Sequence, residues 1–210
     1  MKITILDCSP KFKGSQSNYL ITQIKKSWGD KHTYYDCKLI QKSNWDRYNN
    51  YTIDSDVILL VSPLYVDGLP SHTINYLYEL DKFLKNKKFN FTVYSIINCG
   101  MYEAIQNKVA ISIVKNWCER VGAIYGTGLG IGSGPLVATT IFAPNMRKSR
   151  KNVCLSIERL SSIIDKRSTS EDIYVTSVAK RKLCIFLGNM YFYVLGLGEK
   201  TKPWDIKKQV

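Results

Sequence analysis

The sequence predicts an α/β fold built on a doubly wound parallel sheet, and three observations predict it. Short β-branched runs alternate with stretches of helical period. One run, Val57-Ile58-Leu59-Leu60-Val61, is apolar at every position, as a strand covered on both faces must be. The length, 210 residues, holds one such domain with some to spare. Alternation of strand and helix implies parallel βαβ units, and their right-handed crossovers leave few topologies.

The elements follow in order. Residues 3–6 read as the first strand; the segment from Met1 to Leu6 runs straight into Asp7 and suits a strand better than an export signal. Residues 17–28 read as a helix, 32–37 as the second strand, 57–61 as the third and 73–84 as a second helix. Residues 91–97 form the fourth strand, 105–121 a third helix, and 123–125 the start of the fifth strand. In the third helix Val109, Ile113, Val114, Trp117 and Val121 share one face at helical spacing. Beyond Gly134 two further helices are expected, over 146–165 and 178–194. The simplest result is a single domain over 1–210 with a five-stranded sheet, in which 144–210 form a basic helical extension.

Composition narrows the function classes. A hydrophobic fraction of 45% excludes a disordered chain. The cysteines (Cys8, Cys37, Cys99, Cys118, Cys154, Cys184) lie far apart, with no CxxC pair, so neither a zinc nor an iron–sulfur site has support. Scattered thiols fit a reducing cytoplasm. With only His32 and His72, a histidine metal site is not expected. The net charge is +13, of which 144–210 carry +8. Solvated helix faces explain this as well as attraction to anionic nucleotides, a membrane surface or nucleic acid does. No nucleic-acid-binding motif is present, so no nucleic-acid partner is expected.

Four loops carry the residues with chemical potential. After the first strand comes Asp7-Cys8-Ser9-Pro10-Lys11-Phe12-Lys13-Gly14-Ser15-Gln16-Ser17-Asn18, a hydroxyl-rich loop opening a helix. Unpaired amides at a helix start attract phosphate, and Ser9, Ser15, Ser17, Lys11 and Lys13 add donors and charge. The same loop also reads as one in which Ser15 only caps the helix. It has neither the GxxxxGK[ST] nor the GxGxxG pattern. After the third strand, Ser62-Pro63-Leu64-Tyr65-Val66-Asp67-Gly68-Leu69-Pro70 is a stiff loop at the edge where open α/β sheets bind ligands. Its tyrosine can pack on a planar ring or lie on the surface of an ordinary turn. After the fourth strand, Asn98-Cys99-Gly100-Met101-Tyr102-Glu103 offers a glycine for close backbone approach. Cys99 has no histidine partner in view and reads as a packed thiol. Finally, Tyr125 to Gly134 places glycine at every second position, which leaves one strand face bare for a closely approaching backbone or ligand.

Together these segments resemble the flavodoxin-like NAD(P)H-dependent FMN reductases, which include NAD(P)H:quinone oxidoreductases. Ser9-Pro10-Lys11 followed by Ser15-Gln16-Ser17 resembles that family's SPR-xxx-S-N-T loop. Ser62 to Leu80 resembles its [ST]-P-x-Y-x-x-x-x-P segment and following helix, and Tyr125 to Gly134 is similar to the glycine-rich stretch of some members. The resemblance covers about residues 1–134. Two positions depart: Cys8 replaces a usual glycine, and Lys11 a usual arginine, giving charge without the bidentate fork. The triple-cysteine cluster of the family's iron–sulfur branch is absent.

The resemblance implies a sheet order of 2-1-3-4-5 and an FMN cofactor, with NADH or NADPH as co-substrate. Its phosphate would rest on Ser9, Lys11, Ser15, Gln16 and Ser17. Its ring would lie against Pro63, Leu64, Tyr65, Val66 and Asp67, with Asn98, Cys99, Gly100 and Met101 closing the other side. No side chain need act as acid or base, so no catalytic residue is named. The acceptor would be a quinone, nitro or azo compound, free flavin or metal chelate, and the assembly a homodimer. A flavodoxin-type electron carrier is the first alternative, but such carriers are usually acidic. A flavin-free binding module is the second. Residues 178–198 pair a basic start with an apolar run too short to span a bilayer; packing on the domain or a partner subunit, or peripheral membrane contact, would use it.

Overall fold

A computed structural model of the chain describes residues 1–133, 150–176 and 181–198. Contacts divide the chain into two compact units, Met1–Ser177 and Val178–Val210. The first unit is a parallel sheet of six strands: β1 (Lys2–Asp7), β2 (Thr33–Lys38), β3 (Val57–Pro63), β4 (Thr92–Asn98), β5 (Ile124–Ile131) and β6 (Ile173–Val175). Their order is β2-β1-β3-β4-β5-β6. The predicted 2-1-3-4-5 order of the flavodoxin-like fold is present, and a short sixth strand extends the expected five. β6 was not legible because its three residues follow a polar stretch, Ser168 to Asp172.

Among the described residues of this unit five α-helices accompany the sheet: α1 (Gln16–Trp28), α2 (Trp45–Ile53), α3 (Ser71–Leu84), α4 (Lys108–Val121) and α5 (Lys151–Asp165). On one face Leu20, Ile24 and Trp28 of α1 and Val153, Ile157 and Leu160 of α5 pack on Ile3, Leu59 and Ile96. On the other, Trp45, Tyr76, Leu80, Val114 and Trp117 of α2–α4 pack on Leu6, Ile58 and Val93. Each such aliphatic side chain contributes about 1.5–3 kcal/mol by leaving water. The central run Val57 to Val61 is at most 1% exposed, as its composition demands.

Three elements differ from expectation. α2 was not foreseen, because its buried stripe of Trp45, Tyr48, Asn49 and Thr52 is half polar. The helix expected over 105–121 begins as a tight 3-10 turn, Ala104–Asn107, and continues as α4. Of the expected face Val114 and Trp117 are buried and Ile113 and Val121 pack partly buried on the core, while Val109 is exposed; the buried stripe also takes in Ala110, Ile111 and Cys118. α5 starts at Lys151, and residues 146–149 of the expected helix lie outside the described residues. The second unit contains α6 (Arg181–Gly198), which ends four residues beyond the expected 194. Residues 178–180 also lie outside the described residues.

The strand expected to start at 123–125 continues through the alternating glycines, and β5 ends at Ile131. Between Val93 and Ser95 of β4 the register shifts, so that β5 advances three residues against two. This bulge turns Gly126 toward the Tyr94 ring, where a Cβ would collide with it. At Gly132 a Cβ would strike the backbone of Tyr102 and Ala104. The bare positions are therefore filled by protein: a ring and a turn of backbone lie where side chains would stand.

Candidate functional site

Parallel pairing aligns the carboxyl ends of the strands. Pro63 pairs with Asn98, and Asn98 with Ile131, so the loops after β1, β3, β4 and β5 emerge along one edge. The chain order reverses between β1 and β3, which are neighbours although β2 lies between them in sequence. A crevice opens at the carboxyl end of such a switch point. The loop from Cys8 to Ser15 and the loop from Leu64 to Pro70 flank it.

The first loop is held from below. The Asp7 carboxylate, nearly buried, accepts from Lys38 Nζ at 2.6 Å and from the Ser9 amide at 3.0 Å. Ser9 Oγ in turn accepts from the Lys11 amide at 3.2 Å. Ser15 is the N-cap of α1: its Oγ accepts from the Asn18 amide at 3.0 Å, leaving its hydroxyl proton free to donate elsewhere. The amides of Gln16 and Ser17, in the first turn, lie outside the i→i−4 ladder. Gln16 Nε2 is buried without a hydrogen-bond partner, which a folded protein seldom leaves so unless a ligand or water supplies the acceptor. Ser17 is buried, and its hydroxyl reaches Asn98 Oδ1 at 3.5 Å, joining this loop to the end of β4. The Lys11 side chain is exposed.

The second loop stores strain. Tyr65 and Gly68 exchange two backbone hydrogen bonds, of 2.9 and 3.0 Å. Between them Val66 and Asp67 both adopt positive φ, +46° and +61°, the pattern of a type I′ reversal. Such turns favour Asn and Gly, and a β-branched valine in the left-handed region costs roughly 1–2 kcal/mol. Val66 is nonetheless fully exposed at the tip and buries nothing there. Strain of this kind clusters at ligand clamps. The Leu64 amide donates to Asn98 O at 2.8 Å, tying the base of the loop to β4.

The β4 loop completes the edge. Cys99 is 3% exposed, and its sulfur packs 3.5 Å from Asn107 Nδ2, so the thiol is a packed group and its backbone alone faces the loop. Burial pushes the Cys99 thiol above its ordinary pKa, and that of Cys8 further still. Gly100 and Met101 are exposed, and Met101 O accepts from the Ser133 amide at 2.6 Å. Asn107 is wholly buried and braces this loop through bonds to Ala104 O and Ile131 O.

Of the fourteen cofactor-site residues singled out in the sequence, Pro63 and Asn98 end β3 and β4, and the rest lie on these three loops and the start of α1. Two more belong with them. His72, on the first turn of α3, bonds through Nε2 to Cys8 O at 3.1 Å and so ties the β3 side of the crevice to the β1 loop. Burial lowers its pKa, the main cause, and keeps the ring neutral. Ser133 is 3% exposed, sits at φ +58°, and its Oγ has no hydrogen-bond partner. A histidine at the start of a helix and a serine between two glycines, Gly132 and Gly134, carry no motif, so neither was singled out in the sequence. A hollow of about 200 Å³ between α1 and α5, lined by Gln23, Lys26, Ser27, Cys154, Ile157 and Glu158, lies away from this edge. Among the described residues no group of histidine, cysteine and carboxylate side chains is arranged to hold a metal.

No family model matches the chain, and neither does any curated protein. Solved structures do match. An NAD(P)H:quinone oxidoreductase from Methanothermobacter marburgensis is 13% identical, with a TM-score of 0.60 over 79% of this chain and 96% of its own. An NADH:FMN oxidoreductase in its apo form is 10% identical, with a TM-score of 0.59 over 81% and 91%. An azoreductase from Bacillus anthracis is 12% identical, with a TM-score of 0.52 over 79% and 99%. These likenesses establish the flavodoxin-like fold.

Proposed function

We propose that this protein is an FMN-dependent oxidoreductase that transfers electrons from NADH or NADPH to a small acceptor such as a quinone or an azo compound. One observation carries the reading. At the switch point between β1 and β3, the first turn of α1, capped by Ser15 but with the Gln16 and Ser17 amides outside the helical ladder and the Gln16 side-chain amide orphaned, stands beside a strained, exposed reversal at Val66–Asp67. The first suits a phosphate and the second a flat polar ring edge. The names of the structural neighbours, oxidoreductases acting with nicotinamide nucleotides, flavin, quinones or azo compounds, support the same chemistry.

In this reading Ser9, Ser15, Gln16 and Ser17 hold the phosphate, and Lys11 adds charge from the rim. The backbone from Leu64 to Asp67 lines one side of the ring and that from Asn98 to Met101 the other. Bound there, FMN would supply the chemistry, hydride acceptance from a nicotinamide nucleotide and electron delivery to the acceptor, while these residues hold it. The residues orient the ring, and amides near Asp67 and Gly100 stabilise negative charge gathered on its edge. Exposed Met101, Ile105 and Val109 beside the crevice support the homodimer of the same proposal. Six free cysteines suit a cytoplasmic setting.

The test is reconstitution. Protein loaded with FMN and passed through a desalting column is expected to keep the visible flavin spectrum, and then to consume NADH or NADPH in the presence of a quinone or azo dye. Loss of all flavin on the column would leave the flavin-free reading.

A further inference from the structure

We infer that α6 docks this protein on an anionic lipid surface. The inference does not depend on what the sheet edge binds. From Leu183 to Gly198 the chain carries no charged side chain over sixteen residues. The run is bounded by Lys180-Arg181-Lys182 before it and, after it, by a segment in which Lys200, Lys202, Lys207 and Lys208 outnumber Glu199 and Asp205. As an α-helix this run is about 24 Å long, short of the roughly 20 apolar residues, about 30 Å, that span a bilayer. Among the described residues no helix is long and apolar enough to cross a membrane.

Helix geometry sets one face apart. At about 100° per residue, Ile185, Phe186, Asn189, Met190 and Tyr193 fall within an arc of about 140°. All five are exposed, Phe186 at 62%. Lys182, also exposed, lies on the same arc at its basic end. Isolated exposed apolar residues need no explanation, but four large ones in a row along one helix face mark a surface that meets something.

Charge decides between the occupants. A second copy seated on this face would set one basic flank against another, an objection that does not touch a homodimer formed through Met101, Ile105 and Val109. A bilayer rich in anionic headgroups attracts both flanks and takes Phe186, Met190 and Tyr193 at the headgroup–acyl boundary, where aromatic side chains are favoured. Basic residues near an anionic leaflet strengthen binding by roughly fivefold each at low salt.

The experiment is flotation of the full-length chain with phosphatidylglycerol–phosphatidylcholine vesicles and with pure phosphatidylcholine vesicles, at about 0.1 M and about 1 M salt. Flotation is expected with the anionic vesicles at the lower salt only. Lys180→Gln with Lys182→Gln should lower the partition by roughly thirtyfold, and Phe186→Ser with Met190→Ser should abolish flotation. Far-UV circular dichroism keeps folding in view, since all of these except Lys180 are exposed positions of the helix and Lys180 directly precedes it. Absence of flotation on anionic vesicles overturns the inference, as does equal, salt-insensitive binding to both vesicle types. A dimer in sedimentation that Phe186→Ser with Met190→Ser dissolves, in a chain that does not float, would assign the face to a second copy instead.

Discussion

At the residue scale, Ser15 holds two roles that the sequence presents as rivals. Its oxygen caps α1, and its proton remains available to an anion. Ser15→Ala with Ser17→Ala should therefore act twice. Loss of the cap costs about 1 kcal/mol of stability. Loss of two charge-assisted bonds to the phosphate costs about 1.5–3 kcal/mol each, raising the FMN dissociation constant more than a hundredfold. Flavin fluorescence reads the second effect and thermal denaturation the first; an unchanged dissociation constant would move the phosphate elsewhere. His72 gives a pH signature. Burial holds its folded pKa below the ordinary value of 6.5, so the unfolded chain takes up a proton first as pH falls. The stability that neutral His72 contributes is full above 6.5 and is lost as pH drops through the lower folded value. Melting temperatures of the natural chain should fall more steeply below pH 6.5 than those of His72→Gln, which has no proton to take up. Parallel curves would detach His72 from the acid response.

At the element scale, the glycines of β5 and the turn after β3 make opposite predictions. Gly132→Ala drives a Cβ into the Tyr102 and Ala104 backbone, which cannot swing away as a side chain can. Overpacking of this kind costs about 1–3 kcal/mol, and urea denaturation should show it. Gly188, with nothing within 4 Å of its missing Cβ, lies inside α6, and Gly188→Ala should leave stability unchanged or raise it by up to about 1 kcal/mol. Val66→Gly removes left-handed strain and should stabilise the apoprotein by about 1 kcal/mol, read as a higher melting temperature. An unchanged melting temperature would mean that Val66 is unstrained and that its loop is an ordinary turn. The same elements show what was legible. Strands β1, β3 and β4 were visible because buried β-branched runs have no other use, and the hydroxyl-rich loop announced itself by composition. α2 and β6 were not, because Asn49 and Thr52 break the apolar stripe of one and only three residues make the other. The bareness of β5 was visible; what fills it was not, since Tyr94 and the Tyr102–Ala104 turn reach Gly126 and Gly132 only through the bulge and the tertiary fold.

At the scale of the whole molecule, charge acts at a distance that no single loop controls. A net charge of +13 surrounds an edge proposed to receive a dianionic or more negative nucleotide. Such a field raises the encounter rate without altering the contacts made after arrival, and salt removes it as the screening length falls from about 10 Å at 0.1 M to about 3 Å at 1 M. Anaerobic stopped-flow mixing of the FMN-loaded protein with NADH or NADPH is expected to bleach the flavin band without any second protein. At low nucleotide concentration, where encounter limits the rate, the bimolecular constant should fall at least tenfold between low and high salt. At saturating nucleotide the rate should change little, because the bound complex no longer depends on steering. A salt effect confined to the saturating rate would place the charge inside the reacting complex instead of around it. If neither nucleotide bleaches the flavin while dithionite does, the protein takes its electrons from another protein, and the reductase reading gives way to that of a carrier.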